Sequence, residues 1–194
     1  MKNIFKFMGL ALIFSALTLT SCKKDEENET IPEGVEVTFG NNATWTAAAT
    51  RAITNGSLFQ IVAYYAENQA PLVQFLGETK TGNQSAEAII ETNEEGGYTY
   101  HAGWDNEDML AYYLEDAQFY AETGRTDWRA LDINLKVNAY DATAMTISGT
   151  LNTTMFNYAS WYNDEVTNVE DAQTKNLTVK FNTTLEMAAQ GKLF

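Results

Sequence analysis

The chemistry open to this chain is bounded by the side chains it holds. In 194 residues there is one cysteine, Cys22, and one histidine, His101. A single histidine cannot build a His-rich metal site, and no H-E-x-x-H pair or second thiol could complete a zinc set. His101 sits in "YTYHAGW", where a lone imidazole reads as a surface group or a satisfied polar side chain. Ser-His-Asp hydrolysis would need that histidine beside a positioned serine, and no G-x-S-x-G elbow is present. No glycine loop cradles phosphate. The 26 acidic residues leave two-carboxylate glycoside hydrolysis as a remote alternative, but nothing marks a pair among them. The chain reads as a non-enzyme.

Two other sets of residues could bind rather than react. The densest oxygen donors lie in "WDNED" (residues 104–108) and "NDEVTNVED" (residues 163–171). Calcium takes six to eight oxygens from such loops, yet neither stretch follows the EF-hand order, so both read as solvated acidic loops. No metal and no cofactor is expected. The aromatics are more suggestive. Tyr64-Tyr65, Tyr112-Tyr113, Phe119-Tyr120 and Trp161-Tyr162 are adjacent pairs, joined by Trp104 and Trp128. Neighbours on a strand face opposite ways, so each strand-borne pair would put one ring in the core and one outside. Outward rings in a row could stack on sugar, which makes Trp104, Trp128 and Trp161 the candidate ligand-binding residues. The same rings also serve as ordinary β-core.

Strands must position these groups. "LDINLKVNAY" places Leu131, Ile133, Leu135, Val137 and Ala139 on one face, against Asp132, Asn134, Lys136 and Asn138. "MTISGTLNT" and "LTVKFNTTL" alternate in the same way, and "YDATA" supplies an Asp-led turn between the first two segments. Earlier, "VEVTF" alternates, Asn55-Gly56 marks a turn before "SLFQIVAYY", and Pro71 suits a strand start. "MLAYYLEDAQFYAE" is ambiguous, and its aromatic density favours strand over helix. Nine or ten short strands with almost no helix predict an all-β fold, a single antiparallel β-sandwich, with an up-and-down, calycin-like β-barrel as the alternative.

The N-terminus has a different character. Lys2 and Lys6 precede fifteen uncharged residues, too few for a spanning helix of about 20 but apt for an export signal. Leu19-Thr20-Ser21-Cys22 resembles the lipobox of bacterial lipoproteins. That resemblance implies removal of residues 1–21 and acylation of the Cys22 thiol with palmitate-type chains. One chain holds only marginally, whereas two or three anchor a protein stably. Loss of Lys2 and Lys6 takes the net charge from −14 to −16. Such a surface repels nucleic-acid phosphates, so nucleic acid is excluded as a partner. With its only thiol acylated, the domain has no disulfide and depends on its core.

Lys24-Asp25-Glu26-Glu27 resembles the export signal of Bacteroidota-type lipoproteins, which implies the outer face of the outer membrane, with the periplasmic face as the alternative. Residues 22–34 read as the lipidated cysteine and an acidic tether, 35–187 as the β-domain and 188–194 as a tail. Across residues 39–186, "WTAAATRAITNGSLFQIVAY", "DINLKVNAYDATAMTISGTLN" and "KNLTVKFNTTLE" are similar to a family of small Bacteroidota lipoproteins of unknown function. That family closes with a Gly-containing "nG-x-F" element where this chain has "KNLTVKF", and it implies no catalytic residue. The sequence thus points to a lipid-anchored envelope protein that binds, with glycan the first ligand class. The alternative is an accessory protein that contacts another envelope protein.

Overall fold

The alternating segments pair as hairpins. In a computed structural model, residues 31–66, 69–92, 98–102, 111–115, 128–162 and 171–189 are described. Regular structure among them is β, apart from one short helix, α1 (Tyr158–Tyr162). The first strands are β1 (Gly34–Phe39), β2 (Trp45–Thr46), β3 (Ala49–Thr54), β4 (Leu58–Ala66) and β5 (Gln69–Glu78). They are followed by β6 (Gly82–Thr92), β7 (Tyr98–Ala102), β8 (Tyr112–Leu114) and β9 (Trp128–Ala130). The longest antiparallel unit is formed by β10 (Asp132–Asp141), β11 (Thr146–Asn157) and β12 (Thr174–Thr184), and β13 (Glu186–Met187) closes the described chain. The fold is all-β. The ambiguous aromatic segment is strand at Tyr112–Leu114, and its later part lies outside the described residues.

The strands do not separate into two sheets. They are hydrogen-bonded into one curled sheet, a half-barrel, whose main path runs β13-β3-β4-β5-β8-β9-β11-β10-β6-β7. The further edge of β11 carries β12, then β1 and β2. All pairs are antiparallel except β13 with β3, so the order is not up-and-down. Two corners curl the sheet. At the first, consecutive amides serve different neighbours: Ala47 donates to Val35 of β1, and Ala48 to Tyr64 of β4. At the second, β11 stays paired while its partner changes from β10 at Asn152 to β9 at Met155. Asp132 holds that bend, its carbonyl accepting from the Thr153 hydroxyl and its carboxylate from the Thr154 amide.

Curling brings distant strands face to face. Phe181 of β12 lies 5.7 Å from Phe59 and 5.4 Å from Phe75 of β4 and β5, and all three rings are fully buried. Gly149 is required where β10, β11 and β12 meet, because a Cβ there would stand 2.3 Å from the Lys136 carbonyl oxygen. One alternation is broken. A bulge between Val137 and Ala139 shifts the register of β10, so Ala139, expected inside, is exposed, and Tyr140 packs against the core instead. On β9 and α1, the Arg129 guanidinium lies 3.6 Å from the Tyr158 ring.

The domain has two distinct ends. The turn after β3, the turn after β5 and the turn after β10 all lie at the end where the chain enters. There Ile31 is buried, and its carbonyl accepts from the Asn182 amide at 2.9 Å. Packed structure therefore begins before the expected boundary at residue 35. It also runs past 187, since Ala188 is buried and donates to Thr54. β1 runs from Gly34, opposite Asn182, to Phe39, opposite Leu177, so residues 40–44 and the start of β12 form the far end.

Candidate functional site

At the far end, the core closes with an aromatic cluster sealed by a lysine. Phe39 stacks on Tyr113 with centroids 4.0 Å apart and meets Trp128 edge-on at 5.0 Å. The Lys175 ammonium lies 4.4 Å from the Trp128 ring centroid and 4.9 Å from that of Phe39, within cation–π range. Glu115 Oε2 accepts from Trp128 Nε1 at 3.0 Å and pairs with Lys175 at 3.4 Å. Gly40, at φ +59°, leaves room for the lysine stem, which a Cβ would meet at 3.3 Å.

Beside Lys175 opens a cleft of about 460 Å³, lined by Gly40, Asn41, Asn42, Gln173, Thr174 and Asn176. The loop backbone is already engaged, because Gly40 donates to the Asn176 carbonyl and Asn42 to that of Phe39. The four amide side chains are exposed and make no side-chain hydrogen bond among the described residues. Each therefore offers one acceptor and two donors to a ligand. Three residues beyond Asn42, no more than about 11 Å along the chain, Trp45 packs edge-on against Tyr65 at 5.8 Å. Tyr65 is 53% exposed, one of two large apolar side chains that stand out among the described residues.

A larger cleft of about 660 Å³ lies at the opposite end, lined in part by Ser57, Glu78, Thr79, Lys80 and Tyr140. Part of the polar surface around it serves the turns themselves. The Thr79 hydroxyl lies 2.9 Å from the Gly56 carbonyl and 3.1 Å from that of Ser57, and Asn55 Oδ1 accepts from the Ser57 and Leu58 amides. Gln84 likewise clamps the Glu78 backbone and the Lys80 carbonyl. Volume favours this cleft, whereas the far end is set apart by four carboxamides gathered at one cleft beside Lys175.

Of the three tryptophans expected from sequence to form an outward platform, only the Trp128 side chain is among the described residues. Trp128 is 3% exposed and points into the core, because its indole N–H is held by Glu115 and its ring by Phe39. Trp104 lies outside the described residues, as does the side chain of Trp161, whose backbone is in α1 rather than a strand. Of the other pairs, Tyr113 is buried and Tyr112 half-buried, and Phe119-Tyr120 lies outside. Cys22 and the loop at 104–108 also lie outside, and of 163–171 only Asp171 is described. His101 is on β7, and its side chain is outside the described part. Among the described residues no group of three His, Cys, Asp or Glu could hold a metal, and no helix is long and apolar enough to cross a membrane.

Sequence reasoning missed Lys175, Gln173, Asn176 and the Asn41-Asn42 loop. The Gly40-Asn41-Asn42 run was a readable turn signal, but nothing in it pointed to β12 as its neighbour. No family model, no curated protein and no solved structure matches this chain.

Proposed function

We propose that this protein is an outer-membrane lipoprotein, anchored through acyl chains on Cys22, that displays its β-domain at the cell surface as a non-enzymatic binding module for glycan. The observation that carries this reading is the polarity of the domain. The chain enters at Ile31 at one end, while the open cleft with unengaged amides and the exposed Tyr65 ring lie at the other. Eight residues separate Cys22 from Ile31, a reach of about 32 Å at most. A tether of that length presents the far end outward and keeps the turn-lined end toward the membrane.

The anchor is tested with Cys22→Ser in cells fed a clickable palmitate analogue. The native chain takes up label and stays with the membrane fraction, and the variant does neither; label on the variant would sink the anchor. Protease added to intact cells then separates the two faces, since digestion supports surface display and protection reassigns the protein to the periplasmic face. Binding is read from melting temperature against a glycan panel. A ligand at 100 times its dissociation constant adds about 2.7 kcal/mol, which moves the melt visibly. A flat response across the panel would replace the glycan reading with that of an accessory protein contacting another envelope component.

A further inference from the structure

The far-end cleft also carries information about which sugars it would take, an inference that rests on the glycan reading above. We propose that it selects neutral, polyhydroxylated sugar over acidic sugar, through Asn41, Asn42, Gln173 and Asn176. A sugar hydroxyl is donor and acceptor at once, and so is a carboxamide, so neighbouring hydroxyls can be met in pairs without any net charge.

An acidic sugar would need a cation aimed into the cleft. Among the described residues no arginine lines it, so none of them offers the planar fork that suits carboxylate or sulfate. Lys175 is the one cation among the described lining residues, and its ammonium is turned to Glu115, Phe39 and Trp128. Swinging it toward a ligand would give up both ring faces and leave Glu115 beside the incoming anion. The surrounding charge acts in the same direction, because the chain carries 26 acidic residues against 12 basic ones. Like-charged ligands are repelled on approach.

Tyr65 extends the site. Its exposed ring packs on Trp45, three residues beyond Asn42, so a ligand of more than one ring could stack at one point and hydrogen-bond at the other.

The test uses the full chain purified in detergent and titrated calorimetrically with cello- and manno-oligosaccharides, then with oligogalacturonates of the same length. The expected result is binding of at least one neutral series, with an affinity nearly unchanged from about 0.05 to 0.5 M salt. The paired change Asn41→Ala with Asn42→Ala should weaken it by roughly tenfold or more, as loss of two hydrogen bonds would. Both side chains are exposed and make no side-chain hydrogen bond among the described residues, so the variant should melt with the parent. Binding of galacturonates alone, weakening with salt, would overturn the selectivity and leave the glycan reading standing. Binding of a neutral series that the paired change does not weaken would overturn the assignment to this cleft. Failure of every oligosaccharide would remove both.

Discussion

Replacing Gly149 with alanine isolates a close approach on which the sheet depends. The glycine faces the core between Val137 of β10 and Phe181 of β12. An added Cβ would stand 2.3 Å from the Lys136 carbonyl oxygen and 2.6 Å from Phe181 Cζ. Ordinary contact begins near 3.5 Å, so the carbonyl must retreat by about 1 Å or more. Over-packing of this kind costs roughly 1–3 kcal/mol. Moving a backbone acceptor also loosens one or two ladder hydrogen bonds, at about 1 kcal/mol each. Against this, Gly→Ala stiffens the unfolded chain and returns about 0.4–1 kcal/mol. The net expectation is a loss of about 2–4 kcal/mol. At roughly 2–4 °C per kcal/mol for a domain of this size, the melting temperature falls by about 4–16 °C. Urea unfolding of the purified protein measures it, with an unchanged m-value showing that stability alone has moved. Gly77→Ala is the comparison, because the atoms nearest its Cβ would be side-chain atoms, Leu135 Cδ2 at 2.3 Å and the Phe59 ring at 2.7 Å. Side chains yield more readily than a sheet carbonyl, so the smaller loss belongs there. A Gly149→Ala protein as stable as the parent, or a larger loss at Gly77, would refute the reasoning.

Two further changes follow the same logic elsewhere. Lys175→Met keeps the straight stem beside Gly40 but removes the charge from the Trp128 and Phe39 faces and from Glu115. Its cost, read by thermal melting, should be about 1 kcal/mol after sulfur–aromatic contact offsets part of the loss, and the gap to the parent should narrow in high salt. At Asp141, the Ala144 amide and then the Thr143 amide hold the carboxylate pKa below its ordinary value. A depressed folded pKa contributes stability above the unfolded value, near 3.9, that is lost as pH falls through the folded one. Asp141→Asn keeps the acceptor without the charge, so it should melt below the parent at neutral pH and converge with it in acid. A gap that stays constant or widens below about pH 4 would reverse that sign.

What the sequence disclosed was local. Alternation in β10, β11 and β12 named the buried faces, and Asn55-Gly56 and "YDATA" are turns for the anticipated reason, an Asx oxygen accepting from amides two and three residues ahead. What escaped was every feature that depends on a strand changing neighbours. A period of two reports which side chains share a face and is silent about who pairs with each edge. Ala47 and Ala48 turn the first corner with nothing more distinctive than small side chains, and the bulge at β10 reversed Ala139 and Tyr140 because one extra residue inverts everything beyond it. Thus a sandwich was expected where the hydrogen bonds run on around the curl.

The site was harder to read for a related reason. Aromatic rings advertise themselves in a sequence, and burial then decides their role: Trp128 looks like a platform residue and serves as core. Tyr65, its neighbour Tyr64 and Trp45 carry the same signal, and only the sheet corner settles that Tyr65 is the ring left to solvent. Amides advertise nothing, since Asn and Gln occur in every polar face and turn. Their meaning comes from whether the fold engages them. Gln84, Asn55 and Asn182 are bonded to backbone and act as staples. Asn41, Asn42, Gln173 and Asn176 have the same chemistry with no such bond among the described residues, brought together because β1 and β12 pair in register through Phe39 and Leu177. Identical side chains are structural at one end of this domain and available at the other, and the difference lies in the pairing of two strands almost 140 residues apart in the chain.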